Sequence, residues 1–381
     1  MVGRLPEVAA VYPARTAHRP PACGAFLAHN RAMFTSTSAV PHAAALAALE
    51  ETLLACAARS ADEGPWRSGA MAELAASGAL AGFVPAAHGG TAAGEPALLA
   101  LLAAIAARCL TTALAVSQWA SAVRIIAAGA AADRESLLPD LARGRTFTTV
   151  GVSQLTTSRR HLGAPALTAA RAGDSWRLDG VCPWVTGADA CDTIVTGATE
   201  ADGGQMFFVV PTSAAGLTIE PPLPMLALSG SRTSCVRFSG VRPAATIAPA
   251  AGGLRTGGLA TTALAIGAAR ASIGLLAHEA VARAALEPVV AGLSTECEHI
   301  AFRMLTAARD GIDQPGRDAL RGDANGLVVR AAQAALTASK GAGYVQGHPA
   351  ERLVRESLFF LVWSCPQSVS AAALCELAGL A

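Results

Sequence analysis

The chain has 381 residues, which is long enough for two or three domains with a large buried core. Its formal net charge is +1 and its basic residues form no stripe, so we expect no nucleic-acid partner. Hydrophobic residues make up 52% of the chain and aromatic residues only 4%, so the core must be built mainly from Ala, Leu and Val. Alanine is the best helix former, and this composition favours helices.

The first segment, residues 1–40, is rich in Pro, Ala and Arg and shows no hydrophobic period. It lacks the continuous apolar stretch of a secretory signal, so we predict a disordered leader and a cytoplasmic protein. The apolar run over residues 97–107 is too short to span a membrane, and we expect no membrane partner. The nine cysteines and eight histidines lack the paired spacing of metal ligands, so no metal site is predicted.

A helical domain is predicted over residues 41–145, because apolar residues recur there at helical spacing. Pro96 stands near the start of one helix and Gly78 follows the end of another, as is typical of helix boundaries. The predicted helices cover residues 43–59, 68–77, 96–108, 111–128 and 133–143.

A β domain is predicted over residues 146–250, where the apolar period changes from helical to alternating. Residues 166–178 indicate a hairpin, with its turn at Ala172-Gly173-Asp174. Further strands are predicted over residues 147–152, 193–196, 206–210, 217–220 and 234–238. Short strands separated by Gly and Pro are typical of a sandwich or a barrel.

A second helical region, residues 251–381, completes the chain. The helical period returns there, and helices are predicted over residues 264–283, 294–309, 321–340, 350–363 and 370–380. The predicted fold class is therefore α+β, with an N-terminal helical domain, a central β-barrel or sandwich and a C-terminal helical bundle. Since no βαβ repeat occurs, the order argues against a Rossmann fold.

Short motifs in this order resemble the acyl-CoA dehydrogenase family over residues 42–381. Residues 74–90 (LAASGALAGFVPAAHGG) and 137–144 (LLPDLARG) are similar to two segments of its first helical domain. The β domain carries a tryptophan-centred motif of that family. The last region carries two further motifs, Gly-x-Gly-Tyr and Glu-Arg-x-x-Arg. These motifs lie at residues 176–192, 207–216, 230–238, 341–344 and 351–355.

The resemblance implies an FAD cofactor, a small-molecule substrate that is an acyl thioester, and a homodimer or homotetramer. The resemblance places Leu155 and Thr156 on a strand near the flavin ring, where backbone groups and the Thr156 hydroxyl contact the ring. It places the Trp184 side chain in a stack on the isoalloxazine and the Thr186 hydroxyl near N5. Taken alone, Trp184 is more often a core residue; the motifs in register favour the cofactor role.

Two further positions are implied at the phosphate end of the cofactor. Arg283 matches an arginine that meets the pyrophosphate of a neighbouring subunit, and a guanidinium fork suits phosphate oxygens. Gly341 matches a glycine whose backbone approaches the diphosphate, where a Cβ would be in the way.

The sequence departs from the family at its catalytic carboxylate. Ser364 occupies the position of the usual glutamate, and a hydroxyl without a partner base is a poor general base. A second position that holds the base in some members falls on residues 257–260, which contain no acid. The phosphate-binding loop is also altered, because Arg159, Arg160 and His161 replace its usual residues. They are interpreted either as a solvated loop or as a new anion contact.

Three functions stay open on the sequence. The first is an acyl-CoA dehydrogenase or oxidase with a relocated base, for which Glu298, Glu356 and Asp189 are the acids to consider. The second is a flavin-dependent monooxygenase on the same fold, which needs no such carboxylate. The third is a non-catalytic binding or assembly protein that kept the fold.

Overall fold

The computed structural model describes residues 69–156, 164–248, 258–363 and 365–380, together with Leu53 and Trp66. The predicted leader, most of the helix predicted over residues 43–59, the altered loop with Arg159, Arg160 and His161, and Ser364 lie outside the described residues.

The first part of the chain is helical because its apolar residues repeat at helical spacing. Its helices are α1 (Ala70–Ala76), α2 (Glu95–Ala106), α3 (Leu110–Ala127) and α4 (Ala131–Ala142). Two 3₁₀ turns, Leu80–Phe83 and Ala86–His88, join α1 to α2. The α2 helix carries a proline in its first turn, as predicted, and α3 is buried along most of its length.

The central region is one mixed sheet of eight strands in the order β6-β7-β3-β2-β4-β5-β8, with β1 pairing in parallel to β4. A short helix, α5 (Ser153–Thr156), follows β1. The strands are β1 (Thr148–Gly151), β2 (Leu167–Ala172), β3 (Ser175–Val185), β4 (Thr193–Thr199), β5 (Gln205–Pro211), β6 (Leu217–Ile219), β7 (Ser234–Val241) and β8 (Ala245–Ile247).

The last part of the chain packs around one central helix, α6 (Leu259–Ala280), which is buried on nearly all sides because its residues are almost all apolar or small. The other helices are α7 (Glu287–Asp310), α8 (Gln314–Gly343), α9 (Pro349–Ser357) and α10 (Gln367–Leu377). Helix α6 contacts α2, α7 and α8, so it joins the two helical regions.

Two helices in the described part of the chain, α3 and α6, have the length and hydropathy of a membrane span. However, 67% and 89% of these apolar segments are buried within the protein itself. Core helices of globular proteins have the same composition, so these two segments are weak evidence for a membrane.

The predicted α+β architecture is confirmed, and three local predictions are wrong. Leu155 and Thr156 lie in the α5 helix and not in a strand, because β1 ends at Gly151. Strand β3 extends to Val185, beyond the predicted end of the hairpin, because β7 continues to pair with it. Helix α6 ends at Ala280, so Arg283 lies in the turn that follows it.

Candidate functional site

The end of β3 presents an exposed aromatic ring beside a buried hydroxyl. Trp184, the penultimate residue of β3, is 49% exposed, whereas Thr186 is 6% exposed. The pairing of β3 with β7 is irregular between Cys182 and Val185, and such a bulge re-aims the side chains near it. The indole of Trp184 therefore stands out of the sheet as a flat apolar surface that a planar ring can cover.

The turn after Thr186 is fixed by a glycine. Gly187 has a φ of +64°, a conformation that side chains with a Cβ rarely adopt. An added Cβ would also lie 2.0 Å from the Trp66 ring, so no larger residue fits. The Thr149 hydroxyl donates to the Thr186 carbonyl at 2.7 Å, which holds the backbone of this turn against β1.

A chain of buried hydroxyl groups continues from Thr186 into the protein. The Oγ1 atoms of Thr186 and Thr233 lie 3.2 Å apart, and Thr233 Oγ1 lies 2.8 Å from Ser231 Oγ. Thr233 and Ser231 carry no motif that predicts a role in the site, since they are two hydroxyl residues in a loop before a strand.

Helix α5 packs against the same end of the sheet. The Gln154 amide donates to the Gly197 carbonyl at 2.7 Å and accepts from the Cys182 thiol at 3.0 Å. Burial raises the pKa of Cys182 to about 12, so its thiol remains protonated and acts as a donor. Leu155 fills the space over Gly197, where a Cβ would lie 2.3 Å from its side chain.

These contacts bring Leu155, the Thr156 backbone, Trp184 and Thr186 to one end of the sheet, because α5 contacts β3 directly.

Arg283 contacts the end of helix α8, which carries Gly341. An Arg283 Nη atom donates to the Ala338 carbonyl at 2.6 Å and forms a short ion pair with the Glu279 carboxylate. Lys340 interrupts helix α8 with a φ of 53° and a ψ of −148°, and Gly341 follows on the exposed surface. An added Cβ at Gly341 would meet no described atom within 4 Å. The guanidinium is thus engaged by its own chain, beside an open stretch of backbone.

The residues on either side of Ser364 lie over a buried cation. Arg321 is fully buried, and its Nη2 donates to the Trp363 carbonyl at 3.1 Å. Its Nε and Nη1 have no hydrogen-bond partner among the described residues, and burial lowers its pKa to about 10. One turn along α8, Asn325 donates to the Phe360 carbonyl at 2.9 Å. Two buried donors therefore hold the segment that leads to position 364, and no sequence motif predicts either of them.

The three acids considered as relocated bases are each paired with an arginine. Glu298 pairs with Arg270 at 2.9 Å. Glu356 is buried and pairs with Arg352 at 3.1 Å. Asp189, in the turn after Thr186, pairs with Arg232, whose Nε lies 3.1 Å from both carboxylate oxygens and whose Nη2 donates to one of them. Each of the three carboxylates therefore already has a cationic partner within the chain.

Comparison with known proteins identifies the fold. Residues 42–145 match the profile of the family described as acyl-CoA dehydrogenase, N-terminal domain. No curated protein sequence matches the chain. The structure is similar to a crystal structure described as an FAD-dependent dehydrogenase, with a TM-score of 0.71 and 19% identity, over 88% of this chain and 98% of that chain.

Two other solved structures are equally similar in fold. A glutaryl-CoA dehydrogenase from Mycobacterium smegmatis, in complex with FADH2, has a TM-score of 0.69 and 20% identity over 93% of this chain and 94% of that chain. A dibenzothiophene monooxygenase from Paenibacillus sp. A11-2 has a TM-score of 0.71 and 15% identity over 88% of this chain and 95% of that chain.

The chain therefore has the acyl-CoA dehydrogenase fold. Its first helical region matches the N-terminal domain of that family, and the predicted resemblance is confirmed. The sequence identities to the solved structures are low, so their activities do not carry over with the fold.

Proposed function

We propose that the chain is an FAD-dependent oxidoreductase of the acyl-CoA dehydrogenase type that acts on an acyl thioester. The observation that carries the proposal is the half-exposed Trp184 indole at the end of β3, two residues before the buried Thr186 hydroxyl. An aromatic face and a buried hydroxyl are the groups that a flavin ring and its polar edge require. Similar folds bind FADH2 in the mycobacterial glutaryl-CoA dehydrogenase, which supports FAD as the cofactor.

The phosphate end of this cofactor fits the described residues less well than the ring end. Arg283 supplies the right group, but Glu279 competes for the same Nη atom with a negative charge of its own. A bound phosphate would have to displace that carboxylate or share the guanidinium with it. We therefore expect weaker FAD binding than an unpaired arginine would give.

The reaction lacks an identified general base. Removal of a proton α to a thioester carbonyl requires a proton acceptor near the cofactor, and position 364 holds a serine. The carboxylates of Glu298, Glu356 and Asp189 each form an ion pair with an arginine. A positioned base contributes roughly a hundred- to ten-thousand-fold in rate, so ordinary acyl-CoA substrates should reduce the flavin slowly or not at all.

The alternative is a flavin-dependent monooxygenase, and the arginine-paired acids favour it. A monooxygenase uses reduced flavin and oxygen and does not require a carboxylate at position 364. The similarity to a dibenzothiophene monooxygenase shows that the fold accommodates such chemistry. We propose that either enzyme acts in the cytoplasm as a homodimer or homotetramer.

The test begins with the purified protein and its visible spectrum before and after addition of FAD. Flavin uptake supports an oxidoreductase, and a protein that takes up no flavin under any condition is the non-catalytic binding or assembly protein. Anaerobic addition of a panel of acyl-CoAs then separates the two enzymes. Rapid bleaching identifies a dehydrogenase with a base supplied from elsewhere. No bleaching, with incorporation of one oxygen atom of O2 into an organic substrate by the reduced protein, identifies a monooxygenase.

A further inference from the structure

Three hydroxyl groups form a linear hydrogen-bond chain that begins at Thr186, two residues after Trp184. Ser231 Oγ, Thr233 Oγ1 and Thr186 Oγ1 follow one another at 2.8 Å and 3.2 Å. All three residues are buried; Ser231 is fully buried, and Thr233 and Thr186 each retain a small exposed fraction. Ser231 is thus the inner end of this hydrogen-bond chain, and Thr186, at the end of β3, is the other end.

The number of hydroxyl protons favours one direction of donation along this hydrogen-bond chain. Each hydroxyl has one proton to donate, and within the described residues the Ser231 hydroxyl has Thr233 as its hydrogen-bond partner. If Ser231 donates to Thr233 and Thr233 to Thr186, the Thr186 proton remains for an acceptor outside. In the opposite direction the buried Ser231 proton has no described acceptor. Because a buried unpaired donor is costly, the chain favours Thr186 as an outward donor.

The loop that carries the inner hydroxyls is strained and tightly held. Leu228 and Arg232, on either side of the Ser229–Ser231 turn, both have left-handed backbones, with φ values of 62° and 51°. Such conformations persist in residues with a Cβ only where the surroundings fix them. Here Arg232 forms a bidentate pair with Asp189, and its carbonyl accepts from Gly187 N–H at 3.2 Å. The loop is therefore anchored to the turn that follows Thr186.

We propose that Thr233, supported by Ser231, is a positioning residue that commits the Thr186 hydroxyl to donate toward the bound cofactor and so stabilises the oxidised flavin. The proposal rests on the proposed function. The oxidised ring presents an acceptor nitrogen at N5, whereas the reduced ring presents an N–H donor there. A hydroxyl that is committed to donate binds the first form better than the second.

The test is the reduction midpoint potential of the flavin-loaded protein, with Thr233→Val as the main variant. Valine keeps the shape of threonine and removes the hydroxyl, so Thr186 becomes able to accept from a reduced ring. We expect the preference for oxidised over reduced flavin to fall by about tenfold, which is a shift of about 30 mV to more positive potential for a two-electron couple. Thr233→Ala serves the same purpose if valine lowers the thermal stability of the protein.

One control and a second test variant make the test specific. Thr112→Val is the same change at a buried threonine whose hydroxyl contacts the Cys109 thiol and no member of the hydroxyl chain, so the potential should remain that of the parent. Ser231→Ala removes the donor that sets the direction of the chain, so Thr233 becomes free to accept from Thr186. The potential should then shift in the same direction as in Thr233→Val, but by less, because Thr233 can still donate. An unshifted potential in flavin-loaded Thr233→Val, or an equal shift in Thr112→Val, overturns the inference. Failure of the parent protein to bind flavin refutes the proposed function instead.

Discussion

Trp184 is the residue on which cofactor binding depends most directly. A half-exposed indole on the end of a strand contributes a stacking surface with few rotatable bonds, and stacking on such a ring is worth roughly 1 kcal/mol or more. We expect Trp184→Ala to weaken FAD binding by about fivefold to tenfold in a visible or fluorescence titration. Trp184→Phe keeps an aromatic face and should lose less. Equal affinities for the parent protein and the alanine variant would remove Trp184 from the site.

The buried thiols make a prediction about chemical reactivity. Burial raises the pKa of Cys182 to about 12 and that of Cys297 to about 11, whereas Cys375 is exposed. The thiolate is the reactive form, and its fraction at pH 8 falls as the pKa rises. With a thiol reagent at pH 8 we therefore expect Cys375 to be modified first, and Cys182 and Cys297 only after unfolding.

Mass spectrometry of digested samples, taken at successive times, identifies which cysteine is modified. Modification of Cys182 as fast as Cys375 in the native protein would contradict the packing described for the end of β3. Unfolded protein in denaturant is the control, because all three thiols then have ordinary pKa values and should react alike.

At the level of elements, the end of helix α8 contains a backbone conformation that suits glycine and holds Lys340 instead. A residue with a Cβ in such a region costs roughly 1–3 kcal/mol. Lys340→Gly relieves that strain but adds freedom to the unfolded chain, so we expect a net gain of about 1 kcal/mol in the free energy of unfolding. Denaturant titration measures it, and Lys340→Ala, which keeps the Cβ, should show no such gain.

The strained end of helix α8 lies next to the residues proposed to bind the cofactor phosphates. Ala338, whose carbonyl accepts from Arg283, lies two residues before Lys340, and Gly341 follows directly. Strained residues that persist are found preferentially at functional sites. If Lys340→Gly stabilises the protein but weakens FAD binding, the kink serves the cofactor; if it affects stability alone, the kink is a packing feature.

At the level of the whole molecule, the last helix leaves an apolar surface exposed. Leu374, Leu377 and Leu380 are each more than half exposed, and Leu374 and Leu377 lie one turn apart on α10. Exposed leucines one turn apart on a helix are typical of an interface, so we expect a homo-oligomer in solution.

Sedimentation velocity of a double variant tests this surface. Leu374→Glu with Leu377→Glu should shift the parent dimer or tetramer toward smaller species, because two charges would have to be desolvated at the interface. Ala372→Glu places a charge on another side of the same helix and should have little effect. A parent protein that sediments as a flavin-loaded monomer would contradict the predicted oligomer.

The sequence alone determined the order of the regions and the positions of most helices and strands. Both follow from local periodicity, because a helix or a strand repeats its apolar side chains along a short stretch of chain. The motifs also placed Trp184 and Thr186 next to each other without any tertiary information, since they are two residues apart. For the same reason Gly78 and Pro96 indicated helix boundaries that the structure contains.

Only the tertiary structure decided which groups the site residues contact. Thr186 meets Thr233, which is 47 positions away, and Arg283 meets Ala338, which is 55 positions away. Arg321 reaches Trp363 across 42 positions, and the sequence pattern of α8 gives no sign of it. Contacts at such separations depend on how the sheet and helices pack, and the preference of a residue for its neighbours in the chain does not encode them. The sequence therefore determined the framework of this protein, whereas packing decided the partners of its hydrogen bonds and the pairing of its charges.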